Sequence, residues 1–300
     1  MSRVLVTGGS GFIGRHVVAG LLEREHEVHV ASRSDPASSG ARWHRVDLMN
    51  ADQTEAVLAA VRPEVLAHLA WYTDPRDYRS SLDNLQWIEA SIRLIRLFAA
   101  HGGERVIGAG SCAEYDSGHG FCSEATTPAN PDSLYGASKN AVHRVVSQAA
   151  DQLGTDVAWA RVFFPYGAGE PADKLVSYVA GRLLRGLTAD CTSGEQFRDY
   201  IHVTDIASFF VALIESGRTG TFNVGTGVPV TVAQVVLTIG RILGAPDLIN
   251  LGARESPPGD VPMLVADIRR ARAELAWGPS LSIDTGLELT IEEIRASGEV

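Results

Sequence analysis

Apolar and polar positions along this chain switch repeatedly between two periods. Val4-Leu5-Val6-Thr7 is a short apolar run, His16 to Arg24 carries apolar residues at helical spacing, and Glu27 to Ala31 is again strand-like. Trp43 to Asp47 then reads as a strand, Gln53 to Val61 as a helix, Val65 to Leu69 as a strand and Leu82 to Ala100 as a long amphipathic helix. Arg105 to Ala109, Ser133 to Leu153 and Val157 to Phe163 continue as strand, helix and strand. Strands alternating with helices predict an α/β fold built on a doubly wound, mostly parallel sheet of Rossmann type.

Beyond Phe164-Pro-Tyr-Gly167 the rhythm loosens. The pattern predicts helices over Leu175 to Arg185 and Thr204 to Glu215, the second capped by Thr204 or Asp205, and strands over Phe197 to Ile201 and Phe222 to Val224. A helix over Val232 to Leu243, the Pro/Gly-rich Glu255 to Asp260 and a short tail helix follow. This reads as a smaller C-terminal α/β substrate-binding domain interleaved with the first. Residues 1–165 plus roughly 197–224 form the sheet domain, and roughly 166–196 and 225–300 close a cleft over the carboxyl ends of its strands.

Composition narrows the classes. With 300 residues and 45% hydrophobic content the chain can bury a large core. No apolar run approaches the roughly 20 residues that span a bilayer, and the N-terminus lacks a charged segment followed by an apolar one and a cleavage site, so a cytoplasmic protein without a membrane partner is expected. Cys112, Cys122 and Cys191 are odd in number and not in metal-ligand spacing, which predicts reduced thiols and no metal site. A net charge of −10 argues against a nucleic-acid partner. An anionic ligand must therefore be held by local groups, against the overall field.

Two places supply such groups. Gly8, Gly11 and Gly14 stand three apart between a predicted strand and a predicted helix, where glycines let backbone approach a diphosphate and the helix presents free N–H groups. The second place is Tyr135-Gly-Ala-Ser-Lys139. Lys139 is one of only two lysines, the other being Lys174, among 26 basic residues. On a helix the phenol and the ammonium share one face, and a nearby cation favours the phenolate, so Tyr135 is a candidate acid/base and Lys139 the group that lowers its pKa. The alternative is a solvated helix pair without chemistry.

Thr7-Gly-Gly-Ser-Gly-Phe-Ile-Gly14 followed by Tyr135-x-x-x-Lys139 resembles the extended short-chain dehydrogenase/reductases, the NAD-dependent epimerase/dehydratase family, in the branch acting on nucleotide-diphosphate sugars. Arg198-Asp-Tyr-Ile-His-Val203 with Asp205, and Phe222-Asn-Val-Gly-Thr226, are similar to later signatures of that branch. The resemblance implies Ser111, four residues before Tyr115, as the hydroxyl that orients a substrate carbonyl, with Tyr135 moving the proton and Lys139 also holding the cofactor ribose. It places Gly8, Gly11, Phe12, Ile13 and Gly14 on the cofactor, Asp47 and Leu48 near the adenine, Leu69 and Ala70 in the groove, and Asn84 and Phe163 close by. Asn84 reads equally as a helix brace. Arg198 is implied as a ligand of the substrate diphosphate, its alternative being an ion pair with an acid such as Asp199.

Ser32-Arg33-Ser34 ends the second predicted strand, where an acid would read a free ribose hydroxyl and a cation a 2′-phosphate; with Asp35 the only nearby acid, NADP(H) is favoured and NAD(H) possible. Two departures set the chain apart from sugar 4-epimerases: Phe164 stands where an Asn often contacts the nucleotide, and Pro257 or Pro258 where an Arg often supports the diphosphate, leaving Arg254 as a substitute. Cys112 and Ala113 replace the Asp-Glu pair of 4,6-dehydratases, and Glu114 is expected to point elsewhere. The expected activity is NADPH-dependent reduction of the 4-keto group of a nucleotide-diphosphate 4-keto-6-deoxyhexose. Alternatives are a UDP-glucose/UDP-galactose type 4-epimerase and an inactive cofactor-binding sensor or scaffold. Many similar enzymes pair as homodimers through the two long helices, and that is expected here too.

Overall fold

The structure is a computed structural model and describes residues 1–34, 40–256 and 259–297. Its first half runs β1 (Arg3–Thr7), α1 (Phe12–Glu23), β2 (Glu27–Ser32), β3 (Arg42–Arg45), α2 (Ala51–Val61), β4 (Val65–His68), α3 (Asp83–Ala100), β5 (Arg105–Ser111), β6 (Phe121–Cys122), α4 (Leu134–Leu153) and β7 (Asp156–Val162). The second half runs β8 (Phe164–Tyr166), α5 (Leu175–Leu184), β9 (Ala189–Asp190), β10 (Phe197–Arg198), β11 (Tyr200–His202), α6 (Val203–Ser216), β12 (Gly220–Val224), β13 (Val230–Thr231), α7 (Val232–Leu243), β14 (Ile249–Asn250), β15 (Met263–Ala266), α8 (Arg269–Leu275) and α9 (Ile283–Ser297).

Seven parallel strands form the main sheet in the order β12-β7-β5-β4-β1-β2-β3. The expected doubly wound α/β sheet is therefore present. Its strands are apolar because both faces are covered. One core packs Val4, Val6, Val30 and Ile107 with Val17 and Leu21 of α1 and Phe209 and Phe210 of α6, and the other packs Leu5, Leu66, Val106 and Trp159 with Leu58 of α2, Leu94 of α3 and Val142 of α4. Strand order reverses between β1 and β4, and at that switch point the carboxyl ends of the strands open a crevice.

Corrections fall mainly in the second half. The single strand expected over Phe197 to Ile201 is two short ones interrupted at Asp199, and neither joins the main sheet: β10 lies between β13 and β15, and β11 pairs with β8. Asp199 turns inward and accepts hydrogen bonds from Thr226 N (2.7 Å), Gly227 N (2.9 Å) and Ala266 N (3.0 Å), which breaks the run. Neither Thr204 nor Asp205 caps α6; the cap is His202, whose Nδ1 accepts from Thr204 N at 3.3 Å. Asp205 instead holds Ser280 N (2.9 Å) and Leu281 N (3.1 Å) of the tail, which is two helices rather than one. A third core joins α5, α7 and α9 through Val179, Val236 and Leu287.

Candidate active site

The turn after β1 is shaped for a close approach. Gly8 has φ +71°, and a Cβ there would sit 2.7 Å from Ala70 N, so the β1 and β4 ends touch backbone to backbone. Ala70 N also donates to Thr7 Oγ1 (3.3 Å), and Leu69 N to Thr7 O (3.2 Å), which fixes Leu69 and Ala70 along the crevice. Gly14 packs on the Gly8 carbonyl, bringing α1 against the turn. Gly11 is the N-cap of α1 with no side-chain cap and no acid in the first turn, so the N–H groups around Phe12 and Ile13 remain for an anionic ligand. That is the chemistry a dinucleotide diphosphate requires.

Along the same edge, Ser32 Oγ lies 3.0 Å from Ser10 Oγ and Arg33 is exposed, while Asp35 lies outside the described residues. Asp47 is exposed, its Oδ1 accepting from Met49 N at 3.0 Å, and the Leu48 side chain is buried beside it. Phe163 is buried with its ring 6.5 Å from that of Tyr115. Asn84 has no exposed surface, accepts from Trp71 Nε1 (2.8 Å) and donates to Tyr78 O (2.7 Å) and Ser81 O (2.9 Å), so it braces the loop after β4.

Ser111 closes β5 and begins a tight turn over Cys112–Glu114, its hydroxyl accepting from Ala113 N at 3.2 Å. Ser133 caps α4 by accepting from Gly136 N (3.1 Å), which sets Tyr135 in the first helical turn. A Cβ on Gly136 would overlap the Ala113 carbonyl oxygen, so only glycine lets α4 seat on the Ser111 turn. The seating brings Tyr135 beside the Ser111 hydroxyl, which acts to lower the phenol pKa. The Tyr135 ring meets the Tyr78 ring edge-on at 5.0 Å, and Lys174 Nζ, from the N-cap of α5, stands 5.1 Å from the Tyr78 ring centroid. Both lysines of the chain thus converge on this region.

One turn on, Lys139 is buried, donates from Nζ to Ala109 O at 2.8 Å and lies 4.0 Å from the Trp71 ring centroid. Burial pulls its pKa down to about 7, opposed by the Glu114 charge. Burial pushes the Tyr135 phenol upward, with the Ser111 hydroxyl pulling the other way and Lys139 not among the contributing groups. The net shift is opposite to the one expected from a neighbouring ammonium, because desolvation of the phenol dominates. His68 accounts for its own neighbours. Its ring nitrogens meet Thr7 Oγ1 (2.7 Å) and Ser91 Oγ (2.9 Å), and burial, then the Lys139 charge, drives it down to about 3.

Arg198, expected on a substrate diphosphate, has partners within the protein. It is buried, donates from Nη1 to Phe197 O (2.7 Å) and Val261 O (2.9 Å), and pairs through Nη2 with Asp260. The alternative of an ion pair holds, with Asp260 in place of Asp199. Phe164 stacks 5.5 Å from its guanidinium. Arg254 is exposed and donates to Tyr178 Oη at 2.9 Å; Pro257 and Pro258 lie outside the described residues. Glu114 points inward, beneath the turn, as expected. Among the described residues no cluster of His, Cys, Asp and Glu could hold a metal, and no helix is long and apolar enough to cross a membrane.

Tyr78, Lys174 and Trp71 are not among the site residues expected from the sequence. Tyr78 meets Tyr135, and Lys174 meets Tyr78, across gaps of more than thirty residues that no local spacing encodes.

A family model of the NAD dependent epimerase/dehydratase family matches residues 4–225, and the chain belongs to that family. It is accordingly an enzyme of the nucleotide-cofactor class that the glycine turn and the Ser111, Tyr135, Lys139 arrangement define. Among curated relatives it is similar to the dTDP-4-dehydro-6-deoxyglucose reductase of Escherichia coli, at 25% identity over 97% of this chain and 97% of that one. Among solved structures it is similar to the UDP-glucose 4-epimerase of Thermotoga maritima with UDP-glucose, at TM-score 0.89 and 27% identity over 98% of this chain and 99% of that one. It is also similar to the UDP-glucose 4-epimerase of Thermus thermophilus in complex with NAD, at TM-score 0.87 and 27% identity, covering 98% and 99% of the two chains.

Proposed function

We propose that the protein reduces the 4-keto group of a nucleotide-diphosphate 4-keto-6-deoxyhexose with NADPH. The observation that carries this reading is the proximity of Ser111 and Tyr135 at the carboxyl edge of the sheet, with the Gly136 contact seating α4 on the Ser111 turn and burial keeping the phenol protonated. A protonated phenol starts as the acid, which is the direction of a net reduction. The Ser111 hydroxyl donates to the substrate carbonyl oxygen, where negative charge collects, and Tyr135 passes its proton to that oxygen. Lys139 holds the cofactor ribose. Bound nicotinamide supplies the hydride. Arg33, exposed at the end of β2, supports NADPH through a 2′-phosphate, with NAD(H) the second option.

Similarity to the Escherichia coli reductase along nearly the whole chain supports the substrate class. The interleaved division into a cofactor domain and a nucleotide-sugar domain belongs to the same reading, as do a cytoplasmic location and a homodimer through α3 and α4, next to which Leu82 and on which Leu85 and Val145 are exposed. Incubation with NADPH and a panel of dTDP-, CDP- and GDP-4-keto-6-deoxysugars should oxidise NADPH stoichiometrically for one of them. The likeness to two UDP-glucose 4-epimerases favours a second reading, NAD-dependent 4-epimerisation. Interconversion of UDP-glucose and UDP-galactose without net turnover, with NAD retained through purification, would put it in place of the first.

A further inference from the structure

Beneath the Ser111 turn lies a carboxylate that the proton-transfer scheme leaves unused. Glu114 has no exposed surface. Its Oε1 accepts from Ser111 N (2.8 Å) and from Trp159 Nε1 (2.9 Å), and its Oε2 accepts from Arg161 Nε (2.9 Å). Trp159 and Arg161 are two apart on β7 and so face the same side, while Ser111 closes the neighbouring β5. Arg161 is itself buried 4.3 Å from the Tyr115 ring, and Tyr115 Oη donates to Asn223 Oδ1 on β12 at 2.7 Å. Strand β7 thus holds the Glu114 side chain, and that side chain holds the Ser111 backbone on the adjacent β5.

The groups facing Glu114 come from every element around it. Arg161 is the cation, and α4 contributes Tyr135, Lys139 and His143. The His143 ring stacks on Trp159 at 5.1 Å, and its Nδ1 is 3.8 Å from Glu114 Oε2; burial and then the Arg161 charge bring it down to about 4, so it is neutral at physiological pH. Cys112 and Tyr115 on the turn are both pushed upward by burial and stay protonated. Lys139 in turn is faced by Glu114, by neutral His68 from β4 and by Trp71. A buried carboxylate against one arginine is poor value for stability, since apolar side chains of similar size would hold the turn as well or better. Its charge acts instead on the two α4 groups, and on Lys139 it opposes the desolvation of the ammonium.

We propose that Glu114 is a positioning residue of the active site, which fixes the Ser111 hydroxyl through the Ser111 N–H and supplies the negative charge that favours the Lys139 ammonium. The first half rests on the hydride-transfer reading; the second does not.

With only two lysines, protein labelled with 13C at lysine Cε gives two side-chain titrations, assigned with Lys174→Arg. In Glu114→Gln the Lys139 midpoint should fall by about one pH unit while that of Lys174 stays in place. The alkaline limb of kcat/KM should move down with it. In Glu114→Asp the charge remains but the shorter side chain releases Ser111, so the Lys139 midpoint should stay and kcat drop about tenfold with sugar KM little changed. An unmoved Lys139 midpoint in folded Glu114→Gln overturns the electrostatic half, and an unchanged kcat in Glu114→Asp overturns the positioning half. Should Glu114→Gln not fold, Arg161→Gln replaces it; removing the competing cation should raise the Lys139 midpoint, and a static midpoint again overturns the proposal. If no ketosugar is turned over by the wild type, the reductase reading fails while the lysine titration still decides the role of Glu114.

Discussion

Gly136 and Ala113 meet backbone to backbone: the first turn of α4 rests on the carbonyl of the Ser111 turn, with no room for a Cβ between them. Alanine ordinarily improves a helix over glycine by about 1 kcal/mol. Here the overlap reverses the sign, because the contact is to rigid backbone. Gly136→Ala should lower stability by about 1–3 kcal/mol, measured by urea unfolding, and lower kcat more than KM as Tyr135 is pushed away from Ser111. A stabilised variant with normal kcat would show that the seating does not matter.

Tyr135→Phe keeps the ring against Tyr78 and removes only the proton carrier. Its kcat should fall by about 10² to 10⁴ while Tm and cofactor affinity hold near wild type. Unchanged turnover in a folded variant would leave the inactive-scaffold alternative as the better account.

Lys139 ties stability to pH. Its folded pKa of about 7 lies below the ordinary lysine value of 10.5, so above pH 7 the folded state gives up a proton that the unfolded chain still binds. Stability therefore rises with pH across that window, and below pH 7 this contribution is flat at its least favourable. Compared with Lys139→Met, the wild type should gain stability between pH 7 and pH 9. Chemical denaturation of both proteins at several pH values reads the difference, and a constant difference would contradict the buried ammonium.

Asp260, at the surface, balances the buried Arg198. Asp260→Asn leaves a buried guanidinium without its counter-charge and should cost about 1–3 kcal/mol, with a lower Tm. If Asp260→Asn is as stable as wild type and instead tightens nucleotide-sugar binding, Arg198 is a ligand after all.

Arg33 is the cation at the ribose end of the cofactor groove. Arg33→Ser should raise KM for NADPH about tenfold or more and leave KM for NADH within about twofold, read from initial rates with each cofactor. Equal effects on both cofactors would remove the NADP preference.

Local patterning was enough for the parts of this protein that are local. The glycine spacing from Gly8 to Gly14, the apolar runs of the seven main strands and the i,i+4 pairing of Tyr135 with Lys139 each depend on neighbours in the chain, so the doubly wound fold and the family were both legible from them. The short strands β6, β8, β9 and β13 to β15 were not, because pairings of two to four residues carry no period.

What only the folded chain decided is how charge and polarity are shared among distant residues. Arg198 reads as a phosphate ligand in the sequence, and only the fold shows that Asp260, sixty-two positions away, pairs with it. Asn84 was undecided until Trp71, Tyr78 and Ser81 closed around it. The spacing of Tyr135 and Lys139 was plain in the sequence, yet the direction of the Tyr135 shift was set by burial, and desolvation is a property of packing density, which no linear pattern contains.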